Sequence, residues 1–280
     1  MNKKEQIKFI EDNYPLTTNH ISNRRIRHDI FSKIETELQA YLLGFYAADG
    51  SIDEKRKTFR IHLQKRDSEL VYLYKDIISP DARTFTVQEH KTTGRGGKEI
   101  TAHESFGVDI TSAKLCNDLV ALGIGYNKSY CELHIPEIPK ELIRHFIRGY
   151  FDGDGCFTVW FVQEIGKSDR VRGKFDICAK SASILNEFIK FFSEHNIKLN
   201  LNYLKRDDMF RISTSSKKEV EKIYNLLYDN SNFYLSRKFN KFDHYVNTEV
   251  TQLITEYRNA QEVNVNESNN PPKSVEHSQE

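Results

Sequence analysis

Apolar residues recur at steps of three and four along Ile34, Leu38, Tyr41, Leu42 and Phe45, the spacing of a buried helix face. Ser32-x-x-Glu35 ahead of them has the form of a capping box, Thr36 is a second cap candidate, and the run ends in Asp49-Gly50. The period then changes to two. Phe59, Ile61 and Leu63 alternate with Arg60, His62 and Gln64, predicting a strand after the turn 53–57 (DEKRK). Residues 68–78 return to a helical period. Residues 83–90 alternate again, with Phe85 and Val87 expected inward and Thr84, Thr86, Gln88 and His90 outward. KTTGRGGK (91–98) lacks the spacing of a nucleotide-binding loop and reads as a hairpin tip, followed by a strand over 104–110 and a helix over 112–122.

The connection 123–140 holds Pro136 and Pro139 and cannot be regular helix, whereas Pro139 suits the first turn of the helix that follows. That helix has Leu142, Ile143, Phe146, Ile147 and Tyr150 as its apolar positions and ends at Asp154-Gly155. The same order then returns: a strand over 156–163, a polar turn over 164–173, and a strand over 174–180 with Phe175, Ile177 and Ala179 inward. A helix over 183–194, strands over 198–204 and 209–213, and a helix over 217–228 complete it. Residues 234–243 (YLSRKFNKFD) stand where 125–131 (GYNKSYC) stand in the first half. This is an internal duplication of α+β class, with a first repeat over 32–130, a linker over 131–138 and a second repeat over 139–245.

Residues 1–31 are rich in charge, with a helical pattern over 5–14 closed by Pro15. A second helix over 17–27 would make a rudimentary helix-turn-helix; the alternative is a basic arm packed on the main body. Residues 246–258 read as a helical extension, and 259–280, rich in Asn, Ser and Glu with Pro271-Pro272, as a disordered tail. The net charge of +1 conceals an acidic tail, without which 40 basic residues face 36 acidic ones; this permits a nucleic-acid partner without demanding one. Apolar runs such as 40–43 are too short to span a bilayer, and the N-terminus lacks the apolar stretch of a signal peptide. A soluble, monomeric protein of the cytoplasm or an organelle is expected. Cys116, Cys131, Cys156 and Cys178 have no close-paired spacing and read as small core residues in a reducing compartment.

The chemistry gathers where the repeats match. LLGFYAADG (42–50) laid over IRGYFDGDG (147–155) places Gly44 on Gly149, Ala48 on Gly153, Asp49 on Asp154 and Gly50 on Gly155. One Asp-Gly is an ordinary helix end with a glycine cap. Two in the same helical frame call for a common cause. Small residues four apart (Gly44 and Ala48, Gly149 and Gly153) let two helix backbones approach closely. Helices packed in this way bring Asp49 and Asp154 together at two C-termini, where helix dipoles and mutual repulsion disfavour carboxylates. A divalent cation relieves both penalties, and Mg²⁺ (or Mn²⁺) completed by phosphate oxygens points to phosphodiester hydrolysis. Arg60, His62, Gln64, Thr84, Thr86, Gln88, Lys174, Lys180, Asn200, Asn202 and Arg211 are outward strand positions suited to reading base edges in a major groove.

These two nine-residue segments resemble the paired motifs of the LAGLIDADG homing endonucleases in their single-chain, two-motif form, and the similarity extends over about residues 31–245. The resemblance implies a pseudo-symmetric αββαββα pair, with motif helices at the interface and two saddle-shaped antiparallel sheets over DNA. By analogy Asp49 and Asp154 bind the catalytic ions, helped by the carbonyls of Ala48 and Gly153. It also implies a basic residue after the last helix of each repeat, which falls on Lys128 in YNKSY and Lys238 in LSRKFNKF. A polar residue near the end of the second strand falls on Gln64 or Lys65, and in the second half within 178–180. Ala47 stands where the other motif has Asp152, and neither catalytic acid is replaced. The reading is therefore a site-specific endonuclease of a mobile, intron-homing element that cuts both strands of double-stranded DNA. An intron-encoded maturase acting on intron RNA and a non-catalytic DNA-binding regulator are the alternatives.

Overall fold

The computed structural model describes residues 1–19, 23–93, 97, 99–126 and 132–269, the last nine as backbone only. Asn2 opens α1 (Lys3–Asn13) with a capping box to Glu5. Residues 17–19 and 23–27 do not form a second helix. Thr17–Asn19 (β1) and Arg24–Ile26 (β2) pair antiparallel, which corrects the helix-turn-helix expectation. The two β-branched threonines favour extended chain, and tertiary bonds hold it there. The Asn19 amide donates to Thr111 O at 2.9 Å, Arg27 N–H donates to Ile78 O at 2.8 Å, and Arg25 grips Asp81 with two guanidinium nitrogens.

The first repeat runs α2 (Glu37–Asp49), β3 (Ser51–Asp53), β4 (Thr58–Gln64), α3 (Ser68–Ile78), β5 (Thr84–Val87), β6 (His90–Thr93), β7 (Glu99–Ala102), β8 (Ser105–Thr111) and α4 (Ala113–Ala121). The second runs α5 (Lys140–Asp154), β9 (Gly155–Val162), β10 (Arg170–Ala179), α6 (Ala182–Glu194), β11 (Asn200–Leu204), β12 (Met209–Thr214) and α7 (Lys217–Tyr228), continued by α8 (Ser236–Asn247) and α9 (Val250–Asn269). Sheet orders β3-β4-β8-β5 and β9-β10-β12-β11 are equivalent strand for strand, and the separate β6–β7 hairpin is an insertion in the first half. Each repeat is thus an αββαββα unit. The cap of α2 is Thr36, whose hydroxyl accepts from Gln39 N–H while the Gln39 carboxamide closes the box; Ser32 bonds Asp29 O instead.

Several local expectations need correcting. β3 directly follows the motif, where no strand was expected, and ends on the first residue of the expected turn 53–57; β10 begins at Arg170, inside the expected polar turn. β5 is flipped relative to the reading of its alternation. Thr84 and Thr86 lie opposite Val108 and Phe106 on the helix-facing side, while Phe85 and Val87 lie opposite Gly107 and Ser105 on the outer side. β5 is a short edge strand, so inner positions there stay partly exposed and tolerate threonine. α9 continues to Asn269, beyond the expected start of the tail. Cys116 is buried but Cys156 is exposed, and Cys131 lies outside the described residues. Among the described residues no helix is long and apolar enough to cross a membrane.

The pseudo-twofold extends into the core. Tyr46 stacks on Phe59 at 4.3 Å between ring centroids, and its counterpart Phe151 stacks on Phe175 at 4.8 Å. These rings explain the glycine after each motif acid. Gly50 and Gly155 have extended backbones, not the left-handed conformation of a glycine cap. A Cβ at either would fall 2.2 Å from the ring of Tyr46 or Phe151.

α2 and α5 meet at backbone contact. A Cβ on Gly44 would lie 1.9 Å from Phe146 O, and one on Gly149 would lie 2.1 Å from Tyr41 O. The same pair of contacts is made from each side, as a twofold requires. Gly153 faces Ala48, whose methyl would be 2.4 Å from an added Cβ. Gly44→Ala or Gly149→Ala must push the helices apart and is expected to cost about 1–3 kcal/mol or more in urea denaturation. Gly125→Ala, where the added methyl meets open space at ordinary φ, should change stability by no more than about 0.5 kcal/mol.

Candidate active site

Close helix packing places Asp49 and Asp154 at the adjoining C-termini of α2 and α5, both exposed. Asp49 Oδ2 lies 3.2 Å from the Cβ position of Gly153, so the first carboxylate rests against the end of the second helix. Tyr150 is buried one turn before Asp154; burial, then the charge of Asp154, holds the phenol well above its ordinary pKa. The matching residue of the first motif is Phe45, which has no hydroxyl to offer.

Lys238 does not face open solvent. It is buried, and its ammonium donates to Phe151 O (2.9 Å), Gly153 O (2.9 Å) and Gly155 O (2.6 Å). Burial lowers its pKa, with Asp152 opposing. The lysine is therefore a cap on the C-terminus of α5, offsetting the partial negative charge of that end. The expected basic residue thus stands at the end of the helix that carries Asp154, and it engages the Gly153 carbonyl that the resemblance assigns to a metal. Lys128 lies outside the described residues.

A buried polar seam leads away from the acids and was not legible as a motif. Asp152 Oδ2 accepts from Tyr41 O–H at 2.8 Å and from Leu235 N–H at 2.7 Å, at the start of the helix that carries Lys238. The two elements hold each other: Asp152 from α5 caps α8, and Lys238 from α8 caps α5. Further along, fully buried Arg148 donates to Phe233 O, Leu227 O and Glu37 Oε1, each at 2.7 Å. Burial works to raise the Glu37 pKa, but Arg148 and hydrogen bonds from Asn232 and Gln6 outweigh it, so the carboxyl is held below its ordinary value. Arg237 and Ser236 dock on Asp67 and Glu69 of the first repeat. The segment 232–238 thus joins both halves beneath the acids.

Two strand surfaces flank the acids. Arg60, His62 and Gln64 lie on the outer side of β4; Lys174, Asp176 and Cys178 lie on that of β10, with Arg211, Asn200 and Asn202 beside them on β12 and β11. Gln64 and Lys65 are exposed, and Lys65 pairs with Glu104. Lys180 bonds Asp208. Thr84 and Thr86 are removed from this surface by the flipped register, and Gln88 is exposed just beyond β5. Among the described residues no group of three or more His, Cys, Asp or Glu side chains is arranged to hold a metal.

Residues 36–79, which include the first motif and the strands after it, match the family model of the LAGLIDADG-like domain. The LAGLIDADG meganuclease I-AabMI, solved bound to uncleaved DNA, superimposes with a TM-score of 0.50 at 14% identity, covering 76% of this chain and 91% of that one. Residues 36–79 carry a LAGLIDADG-like domain, and the chain as a whole shares the fold of that solved meganuclease. The homing endonuclease I-WcaI bound to its DNA recognition sequence gives 0.47 at 12% identity over 82% and 97% of the chains. I-CpaMI bound to uncleaved DNA gives 0.46 at 16% over 76% and 91%. No curated protein matches the sequence. The LAGLIDADG fold accounts for both helix ends meeting, and the duplicated motifs place the whole arrangement in one chain.

Two interface groups titrate in opposite directions. Burial and Arg148 push His145 from its ordinary 6.5 down to about 3, so the imidazole stays neutral in the fold and accepts from Arg148 at Nδ1. The unfolded chain then binds more protons between those values, and stability falls as pH drops through this window. Burial raises Asp152 to about 6 from 3.8, so the fold takes that proton first and stability rises as pH falls from about 6 towards 4. The opposed slopes partly cancel. His145→Gln should remove the acid loss, leaving stability between pH 6.5 and 4 flatter or rising as pH falls, measured by urea midpoints across that range.

Proposed function

We propose that this protein is a site-specific DNA endonuclease that cuts both strands of a double-stranded target by divalent-metal-dependent phosphodiester hydrolysis. The observation that carries the reading is the pair of exposed carboxylates, Asp49 and Asp154, at helix ends locked together by backbone contact. The donor set fits a hard divalent cation, Mg²⁺ or Mn²⁺: carboxylate oxygens at two negative helix termini, too few to enclose an ion and so completed by water and phosphate. Such an ion supplies Lewis-acid stabilisation of the phosphoryl oxygens and lowers the pKa of attacking water.

The chain's own residues do the remaining work. Asp49 and Asp154 hold the site open at the level where the two sheets meet. Lys238 holds the Phe151, Gly153 and Gly155 carbonyls in place, which keeps the turn bearing Asp154 from fraying. Lys128, by its place in YNKSY, is the proposed basic group of the first half. The outer faces of β4 and β10–β12 offer donors and acceptors to base edges on either side of the scissile bonds. Polar sheets flanking an acid pair suit duplex DNA better than folded RNA, whose deep, narrow major groove admits no strand. An intron-homing role for a mobile element follows from the same reading.

The test uses a supercoiled plasmid carrying the rejoined sequences that flank the gene. Wild type with Mg²⁺ should give linear product, and chelation of the metal should stop it. Asp49→Asn and Asp154→Asn should each reduce linear product at least about a hundredfold, the scale of losing a metal-bound transition-state contact, while a gel shift shows duplex binding retained. Cutting that survives either substitution contradicts the assignment.

A further inference from the structure

The strand cations nearest the acid pair are already engaged by acids of the same surface. Arg60 on β4 stands directly opposite Asp109 on β8. Its Nη2 donates to Asp53 Oδ2 at 2.9 Å, and its Nε stands 3.4 Å from Asp109 Oδ2, an ion-pair contact without a hydrogen bond. The other oxygen of Asp109 is 2.7 Å from His62 Nε2. His62 packs over Gly107, where a Cβ would come within 2.6 Å of the imidazole, and meets the ring of Phe85 edge to face at 4.9 Å between centroids. On β10 of the second half, Lys174 Nζ is 3.2 Å from Asp176 Oδ2, and Asp176 is the less exposed partner, at 14% against 26%. The position beside the motif end also changes sign between the halves, since Arg60 pairs in register with Ser51 and Asp176 with Cys156.

We propose that Asp109, with Asp53 beside it, and Asp176 are specificity-determining residues that withhold Arg60 and Lys174 from DNA phosphates until the correct bases are presented. The inference rests on the DNA reading above. Affinity for arbitrary DNA comes from cations that exchange counterions for phosphates. A cation already neutralised by a neighbouring carboxylate has no counterion to release, so it adds little to that term. To leave its acid it needs a partner of matching geometry. The guanidinium fork finds one in the two acceptors of a guanine edge, and a freed aspartate finds one in the amino group of cytosine. A lone phosphate satisfies the cation but strands the acid beside the negative backbone. The pairing therefore costs binding at wrong sites more than at right ones.

The experiment needs no knowledge of the target. Binding of a random-sequence fluorescent duplex is measured by anisotropy across a salt series for wild type, Asp109→Asn, Arg60→Gln and the double variant. A second cycle uses Asp176→Asn and Lys174→Gln, so that one poorly folded variant does not decide the matter. Each Asp→Asn change should steepen the slope of log K against log salt by about 1, an extra loss of about threefold between about 50 and 200 mM. The affinity lost on Arg60→Gln should be several times larger in the Asp109→Asn background than in wild type, and likewise for Lys174→Gln with Asp176→Asn. Additive effects in both cycles, with unchanged salt slopes, overturn the inference and leave the endonuclease reading intact. Absence of duplex binding by every form at low salt overturns the DNA reading and this inference with it.

Discussion

Everything in this molecule depends on two helix backbones touching. Gly44 lies under the Phe146 carbonyl and Gly149 under the Tyr41 carbonyl, and neither site has room for one more carbon. At ordinary helix separation, with large side chains between them, the two C-termini would stand apart and Asp49 and Asp154 would be two surface carboxylates. Contact distance brings the two helix ends together, with Asp49 against the last turn of the other helix. It also sets the position of the sheets, because β3 and β9 start immediately after the two acids. The glycine that joins each helix to its strand is there to clear an aromatic ring four residues back, so motif, sheet and core are fixed by the same few atoms.

Close approach has an electrostatic cost, since two helix termini and their acids share one level. The second half shows how the chain manages it. Lys238 places an ammonium on the last carbonyls of α5, and Asp152 returns the favour at the start of α8. Beyond them Arg148 and Glu37 continue the polar seam through the interface, with partners supplied by the segment after α7. A buried ionic seam of this kind adds little net stability over apolar packing, but it penalises any register other than the one that pairs every group. It thereby makes the helix contact specific as well as close.

Much of this was legible in the sequence because it repeats. The motif helices, the alternation of β4 and of β10 beyond Gly173, and the helices α3 and α7 follow from periodicity alone. The paired Asp-Gly ends singled out Asp49 and Asp154 as candidates because the same arrangement occurs twice. What escaped is what periodicity does not encode. β5 was read on the wrong face because an edge strand mixes apolar and polar residues on both sides. Residues 17–27 were open to a helical reading because their strand pairing is held by partners some fifty to ninety positions away. The fate of the Lys238 side chain depends on three carbonyls more than eighty residues earlier, and no local pattern announces that contact. One signal was available: Asp152 and Arg148 are charged residues on the otherwise apolar face of a motif helix, and charges so placed must find partners.

The central claim is that Asp49 and Asp154 form a single divalent-metal site at the meeting point of two helices. Paramagnetic broadening by substoichiometric Mn²⁺, followed in amide NMR spectra of the chain bound to duplex DNA, tests it directly. The amides of residues 48–50 and 153–155 should broaden first and together, and Asp49→Asn should reduce the effect at both helix ends. Broadening confined to one helix end, or centred on other acids such as Asp109 or Asp176, would contradict the account.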